Sequence, residues 1–364
     1  MWRGAGGEAF KLKNMNTSQL QPTSSRLQQV DFANLGFGNY VSDHMLVATF
    51  KNKQWSNYEI LPYASLSFAP SALALHYGQT VFEGMKAFRH ISGGISVFRI
   101  EKHYERFCRS LQRLCMPAVP KEMFINGLKE LISTDRAWVP DNDGASLYIR
   151  PFMIATEERF GVKVSDEYKF IIFTGPVGSY YSKPLRVKVE DHFMRAAKGG
   201  TGHAKCGGNY GASFYPAQKA QEQGFDQILW TDGSPELNIE ESGTMNAMFV
   251  IDGKVVTPAT SDTILDGVTR DSLLTLAVDL GYPVETRKIS AFELTEKHKN
   301  NLLQEAFGTG TAAVTSPIRC IHIQGKDYLL PESGENSFCI KARNMLNDIR
   351  IGKRPDKYNW NTIV

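Results

Sequence analysis

The sequence predicts an α+β protein of two domains, and three features carry that reading. A length of 364 residues exceeds what one hydrophobic core usually serves. The second half mixes β-hairpins with helices, unlike the regular strand and helix alternation of a parallel sheet. Near mid-chain, Gly175-Pro176-Val177-Gly178 and then Ser182-Lys183-Pro184 interrupt regular structure after a strongly apolar strand, which places a domain boundary there. The expected organisation is a flexible segment over 1–35, a smaller domain over 36–178, a linker over 179–185 and a larger domain over 186–364.

Residues 1–30 are rich in Ser, Gln and Thr, with Glu8 as the single acid and Arg3, Lys11, Lys13 and Arg26 as bases. That composition suits a mitochondrial transit peptide or a flexible terminus. With no amphipathic arginine-rich helix to be drawn there, the expectation is a flexible terminus and a cytoplasmic protein, the mitochondrial matrix being the alternative. From Glu101 to Cys115, Tyr104, Phe107, Cys108, Leu111, Leu114 and Cys115 recur at helical spacing, with Arg106, Arg109 and Arg113 on the other side. This is an amphipathic helix whose two cysteines are expected on the buried stripe.

Strands are expected at Ser146–Arg150, Tyr168–Thr174, Gln227–Trp230 and Ala247–Ile251. Asp252-Gly253 then forms a two-residue hairpin turn into Lys254–Val256. Asp271 to Leu280 reads as a helix closed by Gly281, and another helical stretch starts at Ser290, with Glu293 completing a capping box.

Composition narrows the partners. Apolar residues at 42%, charged residues at 22% and a net charge of +3 describe an ordinary globular chain. No basic run interleaved with aromatics marks a nucleic-acid surface. No stretch approaches the roughly 18 apolar residues of a membrane helix. Cys108, Cys115, Cys206, Cys320 and Cys339 form neither a metal-spaced cluster nor an even disulfide framework, which suggests a reducing compartment and no metal. Small molecules are the expected partners.

Four segments could carry chemistry. In Gly199-Gly200-Thr201-Gly202-His203-Ala204-Lys205-Cys206-Gly207-Gly208-Asn209-Tyr210-Gly211 one lysine stands between two glycine groups, which let another body approach the backbone. The order of a phosphate-binding P-loop is absent, and a flexible loop with a solvated lysine explains the composition equally well. Gly308-Thr309-Gly310-Thr311-Ala312-Ala313 matches the dinucleotide fingerprint as a string but follows a helical stretch, the wrong context. It reads as a tight turn able to aim N–H and hydroxyl donors at an anion, or as a plain connection. Glu240-Glu241-Ser242-Gly243-Thr244-Met245-Asn246 sets paired carboxylates before a strand. Leu265-Asp266-Gly267-Val268-Thr269-Arg270 leads into the Asp271 helix, and a helix N-terminus attracts phosphate.

Together the four suit a pyridoxal cofactor, which needs a lysine for its aldehyde, a carboxylate for its ring nitrogen and donors for its phosphate. The lysine, once displaced by substrate, can carry a proton between the substrate Cα and the cofactor C4′.

From about Phe37 onward the chain resembles the branched-chain amino acid aminotransferases of the fold type IV pyridoxal-phosphate class. The resemblance rests on Ser42-Asp43-His44-Met45, Leu75-His76-Tyr77, Val81 through Phe88, Ser146 through Pro151, Lys205 through Gly211, Glu241 through Asn246, Gly267 through Arg270 and Phe307 through Ala312. It implies a smaller N-terminal α/β domain, a larger cofactor-binding domain with a β pseudo-barrel, and a homodimer.

It further implies that Lys205 forms the Schiff base, that Tyr210 bonds the cofactor's phenolic oxygen and that Glu241 pairs with the ring nitrogen. Arg99 resembles the phosphate arginine, with the backbone of Val268 and Thr269 and the hydroxyl of Thr309. Thr244, touching cofactor and substrate, resembles the carboxylate-binding group together with Thr311 and Ala312. Phe37, Tyr77, Phe82, Tyr148 and Tyr180 match side-chain pocket positions, core packing being the alternative for each. Arg150 resembles a site-lining arginine, or forms a structural ion pair. The redox C-x-x-C of some members is replaced by Ala313 and Ser316, so no thiol regulation is expected there, and Cys206 is expected to be an inert buried thiol.

The implied activity is branched-chain-amino-acid transamination: reversible amino transfer between L-leucine, L-isoleucine or L-valine and 2-oxoglutarate, in a ping-pong cycle. The rivals are a D-amino acid aminotransferase or aminodeoxychorismate lyase of the same fold, and a catalytically silent pyridoxal-phosphate-binding protein.

Overall fold

The computed structural model describes residues 25–178 and 183–364. Tyr180, most of the expected linker and most of the N-terminal segment with its targeting question lie outside the described residues. The first half supplies β1 (His44–Lys51), β2 (Gln54–Trp55), β3 (Glu59–Pro62), β4 (Thr80–Phe82), β5 (Met85–Arg89), β6 (Ile95–Phe98), β7 (Ser146–Ala155) and β8 (Tyr168–Val177). Its helices are α1 (Leu73–Tyr77), α2 (Ile100–Arg113) and α3 (Lys121–Thr134). The second half supplies β9 (Leu185–Val189), β10 (Gln227–Thr231), β11 (Ile239–Ser242), β12 (Met245–Ile251), β13 (Lys254–Thr257), β14 (Val284–Thr286), β15 (Leu303–Gly310), β16 (Val314–Ile323) and β17 (Lys326–Leu329). Its helices are α4 (Gly207–Gly211), α5 (Phe214–Glu222), α6 (Val268–Asp279), α7 (Ala291–Lys299) and α8 (Phe338–Arg350). A last strand, β18 (Asn361–Ile363), returns to pair with β6 in the first sheet.

Among the described residues the strands form two sheets. The first runs β18-β6-β5-β7-β8-β1-β2, with β3 on β1 and β4 on β7. In the second, β11-β10-β9-β16-β15-β12 closes on itself through a β11–β12 pairing. The result is a six-stranded barrel, which leaves no edge along those strands. β9 lies parallel to β10 and β16 while the other barrel pairs are antiparallel, the mixed arrangement expected of an α+β chain.

Alternation decides what each strand offers. On β12, Ala247, Phe249 and Ile251 fill the barrel with Val187, Leu229 and Ile321, while Met248 and Val250 face outward onto Leu273 and Leu276 of α6 and Phe338 and Leu346 of α8. On β7, Leu147, Ile149, Met153 and Ala155 are buried in the first core, which turns Tyr148 and Arg150 together onto the opposite face. That core also packs Phe124 of α3 against Phe107 of α2, tilted at 5.6 Å, and stacks it on Phe170 of β8 at 5.9 Å. Each buried phenylalanine contributes about 1.5–3 kcal/mol.

Several sequence expectations need correction. β8 continues through Gly175, Pro176 and Val177, paired with Tyr148, Leu147 and Ser146. Gly175 does not break the strand; its missing Cβ admits the Tyr40 carbonyl oxygen, which would lie 2.2 Å away. Cys108 on α2 is half-buried and Cys115, just beyond its end, is exposed, whereas His103, Arg106, Phe107, Ser110 and Leu111 are buried. Polar residues occupy the inner stripe because that face meets the second half of the chain. α6 starts at Val268, a turn before the expected Asp271, with Gly267 as its N-cap. Ser290 caps α7 through Glu293 N–H, but the Glu293 carboxylate takes Arg287 as its partner rather than closing the box. The Gly308 string ends β15 and turns into β16, so it follows a strand and not the expected helical stretch; it forms a hairpin with no helix after it, which still rules out the dinucleotide fingerprint. The Asp252-Gly253 turn forms as expected, at φ 51° and 71°.

Candidate active site

Where β4, β5 and β7 meet the barrel rim, a cavity of about 420 Å³ opens, a size that suits a small ligand. Lys205 reaches into it from the loop before α4. Its backbone N–H donates to Ser110 Oγ at 3.0 Å and its carbonyl accepts from Phe82 N–H at 3.0 Å, so both halves of the chain fix this one residue. Lys205 Nζ donates to Tyr210 Oη at 3.0 Å and lies 4.8 Å from the centre of the Phe82 ring. Tyr210 comes from α4, five residues on, and packs its ring 5.0 Å from Phe82.

Glu241 lies on β11 and is buried. It accepts the Leu265 N–H at 2.8 Å and faces Arg195 Nε at 3.1 Å. Burial pushes its carboxyl pKa up, while Arg195, the Leu265 N–H and Lys205 pull the other way. Arg195 is itself fastened to the lysine loop through the carbonyl of Gly202, at 3.1 Å, and to the segment before α6 through that of Thr263. Opposite, Gly267, Val268 and Thr269 bring the N-terminus of α6 to the cavity wall. Its first amides have no partner within the helix and point toward an anion's place. Thr244, in the β11–β12 turn, and Thr309, Thr311 and Ala312, around the β15–β16 turn, complete this side. Thr309 Oγ1 donates to Val314 O at 2.7 Å, so its proton is directed into the hairpin rather than into the cavity.

Phe37, Phe82, Tyr148 and Arg150 also line the cavity. Phe37 meets Tyr148 edge-on at 5.1 Å, and Arg150 Nη2 donates to Tyr148 Oη at 3.0 Å. The alternative of a structural ion pair for Arg150 is not what forms: its guanidinium lies over Phe82 and Tyr148, with Nε buried and unpartnered among the described residues. Two expected residues are not brought in. Tyr77 is 41% exposed and directs its hydroxyl to the Phe160 carbonyl. Arg99 stands beside α6 outside the cavity walls, paired with Asp271 at 2.7 Å and Ser272 at 2.8 Å.

Sequence reasoning missed Arg195, Asn246, Lys86 and the buried trio Glu83, His103 and Arg106. The signal for Arg106 was its spacing from Phe107 and Ser110, which a charge-based reading assigns to solvent. Lys86 crosses from β5 to donate to Ala312 O at 2.8 Å. Burial, with Arg350 nearby, pushes its amine down to about 7.

This donor set fits pyridoxal phosphate. A lysine amine and a phenol meet at one wall, a buried carboxylate stands apart from them, free helix amides offer a phosphate seat, and Gly267 leaves room where a Cβ would lie 1.9 Å from Asn246 Oδ1. Residues 80–321 match the amino-transferase class IV family. The chain is 43% identical over 351 residues to a probable branched-chain-amino-acid aminotransferase of Staphylococcus epidermidis, covering 95% of this chain and 98% of that protein. It is likewise 43% identical over 352 residues to branched-chain-amino-acid aminotransferase 2 of Bacillus subtilis, covering 96% and 97%. Among solved structures it resembles the T.th. branched-chain amino acid aminotransferase with pyridoxamine 5'-phosphate, at TM-score 0.73, 26% identity, and 89% and 99% coverage. The Thermoproteus uzoniensis enzyme with norvaline aligns at TM-score 0.72 and 26% identity, covering 88% and 99%. A barrel closed beside a lysine-bearing loop, matched along nearly its whole length to such relatives, makes this chain a member of the amino-transferase class IV family.

Proposed function

We propose that the protein is a branched-chain-amino-acid transaminase, exchanging the amino group of L-leucine, L-isoleucine or L-valine with 2-oxoglutarate on pyridoxal phosphate. The observation that carries this reading is Lys205 Nζ, 3.0 Å from Tyr210 Oη, in a cavity that Glu241, the α6 N-terminus and an aromatic wall share. When bound, pyridoxal phosphate supplies an aldehyde for the amino group and a protonated ring that withdraws electrons from the substrate Cα.

Lys205 Nζ would hold the aldehyde carbon of the bound cofactor and, as a free amine, would accept the substrate Cα proton and return it to the cofactor's C4′. Tyr210 Oη orients that amine and meets the phenolic oxygen. Glu241 would stand at the ring nitrogen and hold its proton, with Arg195 Nε 3.1 Å from its Oε2. The amides of Val268 and Thr269 receive the phosphate, with Arg99 stabilising the helix end that presents them; Thr309 joins if its hydroxyl turns from Val314. Thr244, Thr311 and Ala312 take the substrate carboxylate. Phe37, Phe82 and Tyr148 exclude water from the branched side chain, while Arg150 above them offers a charge for the second carboxylate of glutamate. A homodimer is part of the proposal, supported by Phe160 and Val162, 92% and 79% exposed, near the exposed Leu75 and Tyr77. So is a reducing, cytoplasmic location, supported by five unpaired cysteines; no helix among the described residues is long and apolar enough to cross a membrane.

A substrate panel with 2-oxoglutarate as acceptor tests the assignment. Turnover of the three branched L-amino acids with negligible D-alanine turnover is expected. The reverse preference would favour the D-amino acid aminotransferase reading, and no turnover despite bound cofactor the silent-binder reading.

A further inference from the structure

Glu240 precedes Glu241 on β11 and is buried like it, but Glu240 is not among the residues that line the cavity. Strict alternation would send two consecutive carboxylates to opposite faces of the strand. Here the strand is irregular: Thr231 of β10 pairs with Ile239 and Leu229 with Ser242, two steps along β10 against three along β11. The extra residue is a bulge at Glu240 and Glu241, a device that re-aims side chains. Both carboxylates reach the same stretch before α6. Glu241 Oε1 accepts the Leu265 N–H at 2.8 Å, and Glu240 Oε1 accepts the Thr263 hydroxyl.

That 261–265 stretch touches everything that sets Glu241. The Thr263 carbonyl accepts from Arg195 Nη2, whose Nε faces Glu241 Oε2 at 3.1 Å. On the other side lies the lysine loop. His203 N–H donates to Asp262 O at 3.0 Å, and Gly199 N–H donates to Asp262 Oδ2 at 2.5 Å. Gly202 packs so closely that a Cβ there would stand 2.6 Å from both Cα and O of Thr263. A shift of Thr263 therefore moves Arg195, the Leu265 N–H and the lysine loop together.

The hold that Glu240 exerts is a hydrogen bond. Arg195 Nε and Nη2 are directed to Glu241, Gly202 and Thr263, and Glu240 Oε2 is buried with no partner among the described residues. Charged groups around Glu240 are mixed, with Arg195 attracting and Asp232 and Glu241 repelling a negative charge. Burial outweighs Thr263 and Arg195 and pushes its carboxyl pKa up, so the clasp does not depend on a charge at Glu240.

We propose that Glu240 is a positioning residue: by clasping the Thr263 hydroxyl it holds the 261–265 stretch so that Arg195 and the Leu265 N–H meet Glu241 at the cofactor's ring nitrogen. The inference rests on the transaminase reading. Without the clasp, Glu241 keeps its place in the sequence but loses the fixed geometry of its two partners, and the ring proton is held less firmly.

The test is a pH titration of the visible cofactor band in full-length holoenzyme, alongside kcat, KM for L-leucine and thermal unfolding. A ring that holds its proton less firmly withdraws less charge, so the nitrogen that Lys205 shares with the cofactor keeps its own proton to higher pH. E240A is expected to raise the midpoint by about 0.5–1 pH unit and lower kcat about 3–10-fold, the worth of one hydrogen bond. KM should hold, because the clasp touches no substrate group. T263A keeps the carbonyl that Arg195 uses and should give the same shifts; it carries the comparison if E240A does not fold. The double variant should go no further than E240A, since both remove one interaction. E240Q retains an oxygen for the Thr263 hydroxyl and should restore midpoint and kcat. T174A is the control: it removes a buried 2.8 Å bond to Ser42 in the first sheet, away from the cavity walls. It should lower the unfolding temperature and leave the midpoint in place. Wild-type midpoints in E240A and T263A, a midpoint in E240Q shifted as far as in E240A, or an equal shift in T174A at a matched loss of stability would each overturn the inference. Wild-type protein that takes up no pyridoxal phosphate would instead refute the transaminase reading itself.

Discussion

Substituting Gly267 by alanine tests how the α6 N-terminus is held. The backbone there has φ −71° and ψ 120°, open to any residue, so the cost comes from contact and not from conformation. The new Cβ would lie 1.9 Å from Asn246 Oδ1 and 3.2 Å from Arg270 Cβ. Asn246 is buried and its Nδ2 donates to Leu265 O at 2.8 Å, so moving it breaks a bond to the loop that bears Glu241's N–H partner. Overpacking of about 1–3 kcal/mol and a lost hydrogen bond of about 1 kcal/mol give a destabilisation of about 2–4 kcal/mol. Thermal unfolding should show a drop of several degrees, larger with cofactor present, because weaker binding also removes the ligand's contribution to stability. G267A with wild-type unfolding temperatures in both states would refute the argument that Asn246 and Gly267 are packed face to face at the phosphate seat.

Three further outcomes follow from the same geometry. E241Q should retain cofactor through Lys205 yet lose about 10²–10³ in kcat, as electrostatic support at a reacting ring is removed; near-normal kcat would place the ring nitrogen elsewhere. K86M should be more stable than wild type at pH 7 and below. The Lys86 amine falls from 10.5 to about 7 on folding, so between those pH values the unfolded chain binds the extra proton and wild-type stability rises with pH. The advantage of K86M, read by denaturant unfolding, should therefore shrink from pH 7 toward pH 10; an advantage that grows with pH would contradict the buried-cation assignment. A small thiol reagent should label the exposed Cys115 first and leave transamination intact, with Cys206 beside Lys205 shielded at 3% exposure. Early loss of activity with labelling at Cys206 would show that this thiol is accessible.

The residues most legible in the sequence are those whose neighbours announce them. Lys205 and Tyr210 share one glycine-flanked segment, and Glu241 precedes an apolar strand; the cavity brings all three together. Tyr148 and Arg150 came only through the resemblance, and the structure sets them on one face of β7. What the sequence hides is pairing across long separations. Arg195 meets Glu241 forty-six residues later and Arg106 meets Asp266, and no local pattern distinguishes either arginine from a solvated one. On α2 the charge pattern misled: the side bearing Arg106 is polar because it docks on another part of the chain, not on water. Tyr77 stands in a matching string, yet within the single chain its side chain turns outward to Phe160. Gly175-Pro176 looked like a strand end because their neighbours, Tyr40 and Leu147, come from distant segments.

The central claim is that Lys205 passes an amino group from a branched L-amino acid through one bound cofactor. Mixing holoenzyme with excess L-leucine and no acceptor tests it most directly, with the visible cofactor band and 4-methyl-2-oxopentanoate measured together. The account predicts loss of the band with one equivalent of oxo acid per site, return of the band with one equivalent of glutamate when 2-oxoglutarate is added, and neither in K205A. Oxo acid accumulating beyond one equivalent without an acceptor, or a K205A protein that matches wild type, would contradict it.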